Sequence, residues 1–274
     1  MLFVNNILCI SNIQSLFRKN KLFIGDKNRL DMDHINLFQT NAEFLSAYTN
    51  DYVEPWVSFT MENSGMSYNK ESGPTPSHDY VEIGGIKWAT MNLGATAVTD
   101  YGKYYAWGET QGYSASRVGT DKNFSWTDYE LCNGTSSNMT KYNSTDKLTT
   151  LEFIDDAVVQ EWGGNWRMPT REEYGTLLGA VNTQWTNDYQ GSGIAGMICT
   201  DKTNSSKVLF FPAAGYYLNG TNDYIGESAD CYSSTRGGKS YINNGRVVSM
   251  NTGGAGVYER RRCQGYPIRG ILDE

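Results

Sequence analysis

From Tyr80 onward the apolar residues arrive in short alternating bursts, and most bursts are closed by Gly, Asn, Asp or Ser. This spacing predicts short strands set in long, turn-rich loops. Tyr80–Thr90 alternates on both sides of Gly84-Gly85, a pair suited to a two-residue hairpin turn. Tyr104–Trp107 reads as a strand fragment, and Val208–Pro212 as a buried strand with Gly215–Leu218 as its mate. Helical periodicity shows twice. Between Asp146 and Trp162, Leu151, Ile154, Ala157, Val158 and Trp162 share one side, which leaves Asp155, Asp156, Gln160 and Glu161 towards solvent. Thr170-Arg-Glu-Glu173 is a capping box that opens a second helix through Leu177, Leu178 and Val181.

Before Tyr80 the pattern changes. Asn41–Tyr48 predicts a short N-capped helix, and Tyr52–Thr60 a strand with Met66–Tyr68 as its hairpin mate. Glu71–His78 holds two prolines, a glycine and small polar residues, so regular structure stops there. The expected organisation is a small adaptor over residues 1–76, a linker at 71–78, and an α+β domain over residues 79–274 with short strands, two helices and long irregular loops.

The composition adds limits. Seven Trp, nineteen Tyr and ten Phe in 274 residues supply a large core. The net charge of -7 has the wrong sign for nonspecific attachment to nucleic acid. Residues 227–270 differ, with seven basic side chains against three acidic ones, so a basic face is expected there. Five cysteines are too few and too widely spaced for a disulfide framework, although Cys231 and Cys263 could meet across a C-terminal sheet. No run approaches the ~20 apolar residues of a spanning helix, so no membrane insertion is expected. Met1–Ile10 is apolar but lacks the basic start of a secretory signal. The six Asn-x-Ser/Thr sequons read as polar loops.

Candidate chemistry is sparse. The two histidines, His34 and His78, lie in or before the linker, which removes a histidine triad or a His-rich metal site from the main domain. The adjacent pairs Glu172–Glu173 and Asp155–Asp156 point about 100° apart on a helix and do not converge on one bond. Calcium needs several converging oxygen ligands, and only the Asp-rich loops leave room for a structural calcium ion. No other cofactor is expected.

Six segments in order, Val81–Asn92, Tyr105–Gly108, Trp166–Thr170, Phe211–Tyr216, Tyr232–Thr235 and Gly265–Arg269, together resemble the Fibrobacter succinogenes major paralogous domain, a family abundant in gut Bacteroidetes. The likeness spans roughly residues 79–273 and implies a C-type-lectin-like fold. It is also similar to the variable proteins diversified by retroelements, in which a C-terminal surface changes while framework positions persist. That resemblance implies that Ser233, Ser234 and Gly265–Arg269 are framework. It implies ligand-binding display positions at Arg236, Lys239, Tyr241, Asn243, Asn244, Arg246, Tyr258, Arg260, Arg262 and Gln264. Tyr232 stands where Trp is common in the family. Trp166–Tyr174 further resembles a helix start of formylglycine-generating enzymes, yet their cysteine pair or histidine metal triad has no counterpart here.

Tyr and Arg offer broad contact area with polar ends, and Asn, Ser and Gly fill between them. The expected function is non-enzymatic display of a binding surface, with a protein or glycan ligand on a cell surface and an extracellular, cell-surface or virion location. Two alternatives are a structural tip or scaffold subunit that self-assembles and a degenerate oxygenase-like enzyme.

Overall fold

A computed structural model describes residues 78–273 together with four earlier strands, β1 (Leu2–Val4), β2 (Ile7–Cys9), β3 (Val57–Glu62) and β4 (Gly65–Lys70). The helix expected at residues 41–48, the first residues of the strand expected from Tyr52 and all but the last residue of the 71–78 linker lie outside the described residues. The chain divides into two compact units, Met1–Gly73 and Pro74–Glu274. In the first, β1 pairs with β2 and β3 with β4, both antiparallel, and β4 contains the expected mate Met66–Tyr68.

The second unit is sheet-rich α+β, with two α-helices among its described residues, α1 (Ala157–Trp162) and α2 (Arg171–Ala180). Strands β5 (Tyr80–Ile83) and β6 (Ile86–Asn92) form the hairpin expected there. Gly84 and Gly85 take φ of 61° and 74°, the left-handed pair such a turn demands. The last strand, β16 (Arg269–Leu272), inserts between β6 and β7 (Trp166–Arg167), so the unit closes its end against its beginning. A second sheet runs β10-β9-β8, from Val208–Pro212, Gly196–Asp201 and Val181–Thr186. The third holds β13 (Ala229–Arg236), β14 (Asn244–Asn251) and β15 (Gly254–Arg261) in that order.

Two expected elements came out differently. The mate of β10 is β9, while β11 (Tyr216–Leu218) pairs with β12 (Thr221–Asp223), because Gly215 turns the chain away first with φ of 57°. The helix expected between 146 and 162 shrinks to a 3-10 turn at Phe153–Asp155 followed by α1. Asp155 and Asp156 are buried instead of solvent-facing. Asp156 is the N-cap of α1, accepting from Val158 N at 2.9 Å and Val159 N at 3.1 Å, and its other oxygen accepts from Met168 N at 2.8 Å. Burial nonetheless pushes this carboxyl up to about 6. Asp155 accepts from Tyr142 Oη at 2.6 Å.

The α2 capping box is present, with Thr170 Oγ1 accepting from Glu173 N at 3.2 Å and Glu173 Oε2 accepting from Thr170 N at 2.7 Å. Helix α2 buries Tyr174 and Leu177 in a core shared with all three larger sheets, through Trp88, Cys199, Phe211, Cys231, Val248 and Ile271. Each such side chain fully withdrawn from water is worth roughly 1.5–3 kcal/mol. A second core gathers Trp107, Tyr142, Trp166, Tyr232, Tyr266 and Ile268 beneath the long 93–150 segment. That segment has little regular structure and is fixed by buried polar groups. Lys122 Nζ meets Glu109 Oε2 at 2.7 Å with both side chains buried, and Tyr129 Oη donates to the Trp107 carbonyl at 2.7 Å. Phe124 and Tyr142 sit at positive φ, 55° and 57°, a conformation costing about 1–2 kcal/mol that their complete burial offsets.

Candidate functional site

The C-terminal sheet sorts its side chains by strand alternation. Ala229 and Cys231 of β13, Val248 and Met250 of β14, and half-buried Ala255 and Val257 of β15 pack on the core shared with α2. The intervening residues face the other way. In register across the sheet, Asp230 stands opposite Ser249, which stands opposite Gly256, and Tyr232 stands opposite Val247, which stands opposite Tyr258.

The ten expected display residues divide. Lys239 and Tyr241 lie exposed in the 237–243 loop, Tyr241 with 57 % exposure. Tyr258 is 48 % exposed and carries the Arg260 guanidinium over its ring at 5.4 Å. Asn243, Asn244, Arg246 and Arg260 are half-buried, and Arg246 is tied to Glu259 at 2.6 Å. Arg236, Arg262 and Gln264 are buried and are not display positions. A register shift between Tyr232 and Arg236 turns the Arg236 side chain inward, where Nη1 donates to the carbonyls of Tyr142 at 3.2 Å and Asn143 at 3.3 Å. Arg262 follows the end of β15 and enters the second core. Its Nη2 donates to the Tyr142 carbonyl at 2.6 Å and Nη1 to the Lys141 carbonyl at 3.0 Å, with Trp107 4.6 Å away. Burial lowers its pKa. Gln264 Oε1 accepts from Arg261 N at 3.0 Å and so closes the turn after the sheet.

The expected basic face is correspondingly reduced. Arg269 is also enclosed, and its four hydrogen bonds go to Asn92 Oδ1 and the carbonyls of Ala89, Thr90 and Phe210, all uncharged. Ser233, Ser234, Tyr266 and Ile268 are buried. Tyr232 is wholly buried too; its hydroxyl lies 2.7 Å from the Arg261 carbonyl and its ring meets Tyr266 edge-on at 4.8 Å. Cys231 and Cys263 are free, buried and in separate cores.

Several residues of this surface escaped the sequence reading. Tyr224 and Ile225 are exposed beside it, Tyr224 stacks on Tyr216 at 5.9 Å, and Tyr216 meets Tyr266 at 5.0 Å. Asp230 lies beneath with 5 % exposure, its Oδ1 accepting from Ser228 Oγ at 2.8 Å. Burial pushes its carboxyl up, against the opposing pull of Ser249, Ser228 and Arg260. The signal was present: Asp230 falls between the core residues Ala229 and Cys231, which puts it on the opposite face.

Elsewhere, His78 stacks on Trp162 at 4.1 Å and lines an open cleft of about 260 Å³ with Thr90, Thr96 and Glu161. Glu161 is engaged there by Tyr105 Oη at 2.7 Å and Lys103 Nζ at 3.1 Å. Among the described residues, no group of three or more His, Cys, Asp or Glu side chains is arranged to hold a metal ion. No described helix is long and apolar enough to cross a membrane.

No protein-family model matches the chain. No curated protein and no solved structure matches it either. What the surface does therefore has to be argued from its own geometry.

Proposed function

We propose that this chain is a non-enzymatic binding module with a C-type-lectin-like domain, displaying the outer face of its C-terminal sheet to a protein or glycan on a cell surface. The observation that carries the reading is the exposed Tyr258 with Arg260 over its ring, together with Tyr241, Tyr224 and Ile225 exposed in the segments that join neighbouring strands. Large amphipathic side chains held by a rigid scaffold lose little freedom on binding, so contact area is converted into affinity efficiently. The buried arginines support the same reading. Arg236 and Arg262 clasp the 141–143 backbone, which braces the sheet independently of its outer side chains, and Arg269 joins β16 to β6 and β10 in the neighbouring sheets. The six ordered motifs that resemble the Fibrobacter paralogous domain are the ground for the fold assignment, and with it for an extracellular, cell-surface or virion location.

The test is binding of the labelled full-length chain to panels of bacterial and animal cells. Saturable binding that disappears in the Tyr241→Ala, Tyr258→Ala, Arg260→Ala triple variant, with melting unchanged, is the expected result. Self-assembly is the competing use of the same exposed tyrosines. A stable oligomer in sedimentation that the triple variant dissolves would replace display with a structural role.

A further inference from the structure

Beneath the exposed tyrosines lies a group of polar atoms whose bonding capacity is not used up. Asp230, Ser228 and Ser249 are all more than nine-tenths buried and touch one another, with Ser228 Oγ 2.8 Å from Asp230 Oδ1 and 3.4 Å from Ser249 Oγ. A carboxylate offers about four acceptor sites, and two serine hydroxyls fill only part of them. Tyr266 Oη is buried within reach of the Arg260 side chain, and Asp230 and Tyr216 act on it electrostatically. A buried carboxylate with acceptor sites left over can take a further donor from outside the chain. Tyrosine rings stand around this floor. Tyr216 meets Tyr266 at 5.0 Å and Tyr224 at 5.9 Å. Tyr258 lies back over Gly256, where a Cβ would fall 2.8 Å from its hydroxyl, so the ring occupies the space above the strand position that pairs with Ser249.

The charge balance selects the ligand. Asp230 and Arg260 oppose each other, so an anion or a cation meets about as much repulsion as attraction. A neutral molecule rich in hydroxyls uses both, donating to the carboxylate and accepting from the guanidinium. The flat C–H face of a sugar ring matches the tyrosine faces, which present apolar area with polar edges.

Resting on the display reading above, we propose that Asp230, Ser228 and Ser249 as floor, with Tyr216, Tyr258 and Arg260 as walls, form a subsite that takes one pyranose ring of a glycan. Asp230 and Arg260 make the charge-assisted hydrogen bonds, and Tyr258 supplies the stacking platform.

The experiment is a glycan microarray probed with the full-length chain, followed by calorimetric titration of the methyl pyranoside that corresponds to the bound terminal sugar. Binding of at least one glycan is expected, weakened tenfold or more by Asp230→Asn and by Tyr258→Ala. Tyr258 is exposed, so its variant keeps the test available where Asp230→Asn does not fold. An array with no bound glycan, or glycan binding that survives Tyr258→Ala, overturns the subsite. In either case, binding to cells that is still lost in the Tyr241, Tyr258, Arg260 triple variant leaves the display reading standing with a protein as its ligand.

Discussion

Arg260 and Arg262 are two residues apart, yet one lies half-buried over an exposed tyrosine ring and the other is wholly enclosed between Trp107 and Tyr142. Residue type does not separate them. The difference is made by the end of β15 at Arg261: Arg260 keeps the strand's outward alternation, whereas Arg262 turns into the core and takes backbone carbonyls from a loop about 120 residues earlier. The same Tyr/Arg vocabulary thus writes an exposed contact surface over one part of a sheet face and, where the second core covers that face, a set of cross-braces. Tyr258 and Tyr232 repeat the contrast on the two strands that flank β14, one 48 % exposed and the other fully buried.

If the braces are as described, the largest effect comes from Arg269. Arg269→Ala leaves the carbonyls of Ala89, Thr90 and Phe210 without their buried donor, and urea unfolding should show a loss of about 3–5 kcal/mol or no folded protein. A loss below ~1 kcal/mol would mean that water replaces the guanidinium easily. Ile268→Ala, at 1 % exposure in the second core, should cost about 2–4 kcal/mol in the same measurement.

A smaller effect belongs to the α2 capping box. Burial raises the pKa of Glu173, but Arg167 at 2.6 Å and 2.9 Å and the Thr170 N–H outweigh it and hold the carboxyl below its ordinary value. A depressed carboxyl stabilises the fold above the unfolded-state value and loses that contribution as pH falls through the folded-state value. Glu173→Gln should therefore cost about 1 kcal/mol at neutral pH, and the gap to wild type should close in acid below about pH 4. A gap that widens on acidification would contradict the ion-pair account.

What the sequence disclosed was local. Gly84-Gly85 and Thr170–Glu173 announce a turn and a cap because every group involved lies within four residues. What it concealed was settled at long range. Asp155 and Asp156 fit the polar side of a helix until Tyr142 and Met168 recruit them inward. Arg236 and Arg262 fit a display surface until the 141–143 carbonyls claim them, and no periodicity within residues 227–270 encodes that loop. Asp230 was legible in principle, since alternation with Ala229 and Cys231 assigns its face, but of the tyrosines around it Tyr216 and Tyr224 come from β11 and the turn after β12, outside the C-terminal sheet.

The central claim is that contact surface and bracing are separable within one short stretch. The most direct measurement is urea unfolding of Arg260→Ala and Arg262→Ala side by side with the wild type. Arg260→Ala should fall within ~0.5 kcal/mol of wild type, and Arg262→Ala should lose about 3 kcal/mol or more, since it removes the donor to two backbone carbonyls and an aromatic-stacked buried cation. Equal losses at the two positions would mean that the outer face is part of the core's support, and the account of a separable display surface would fail.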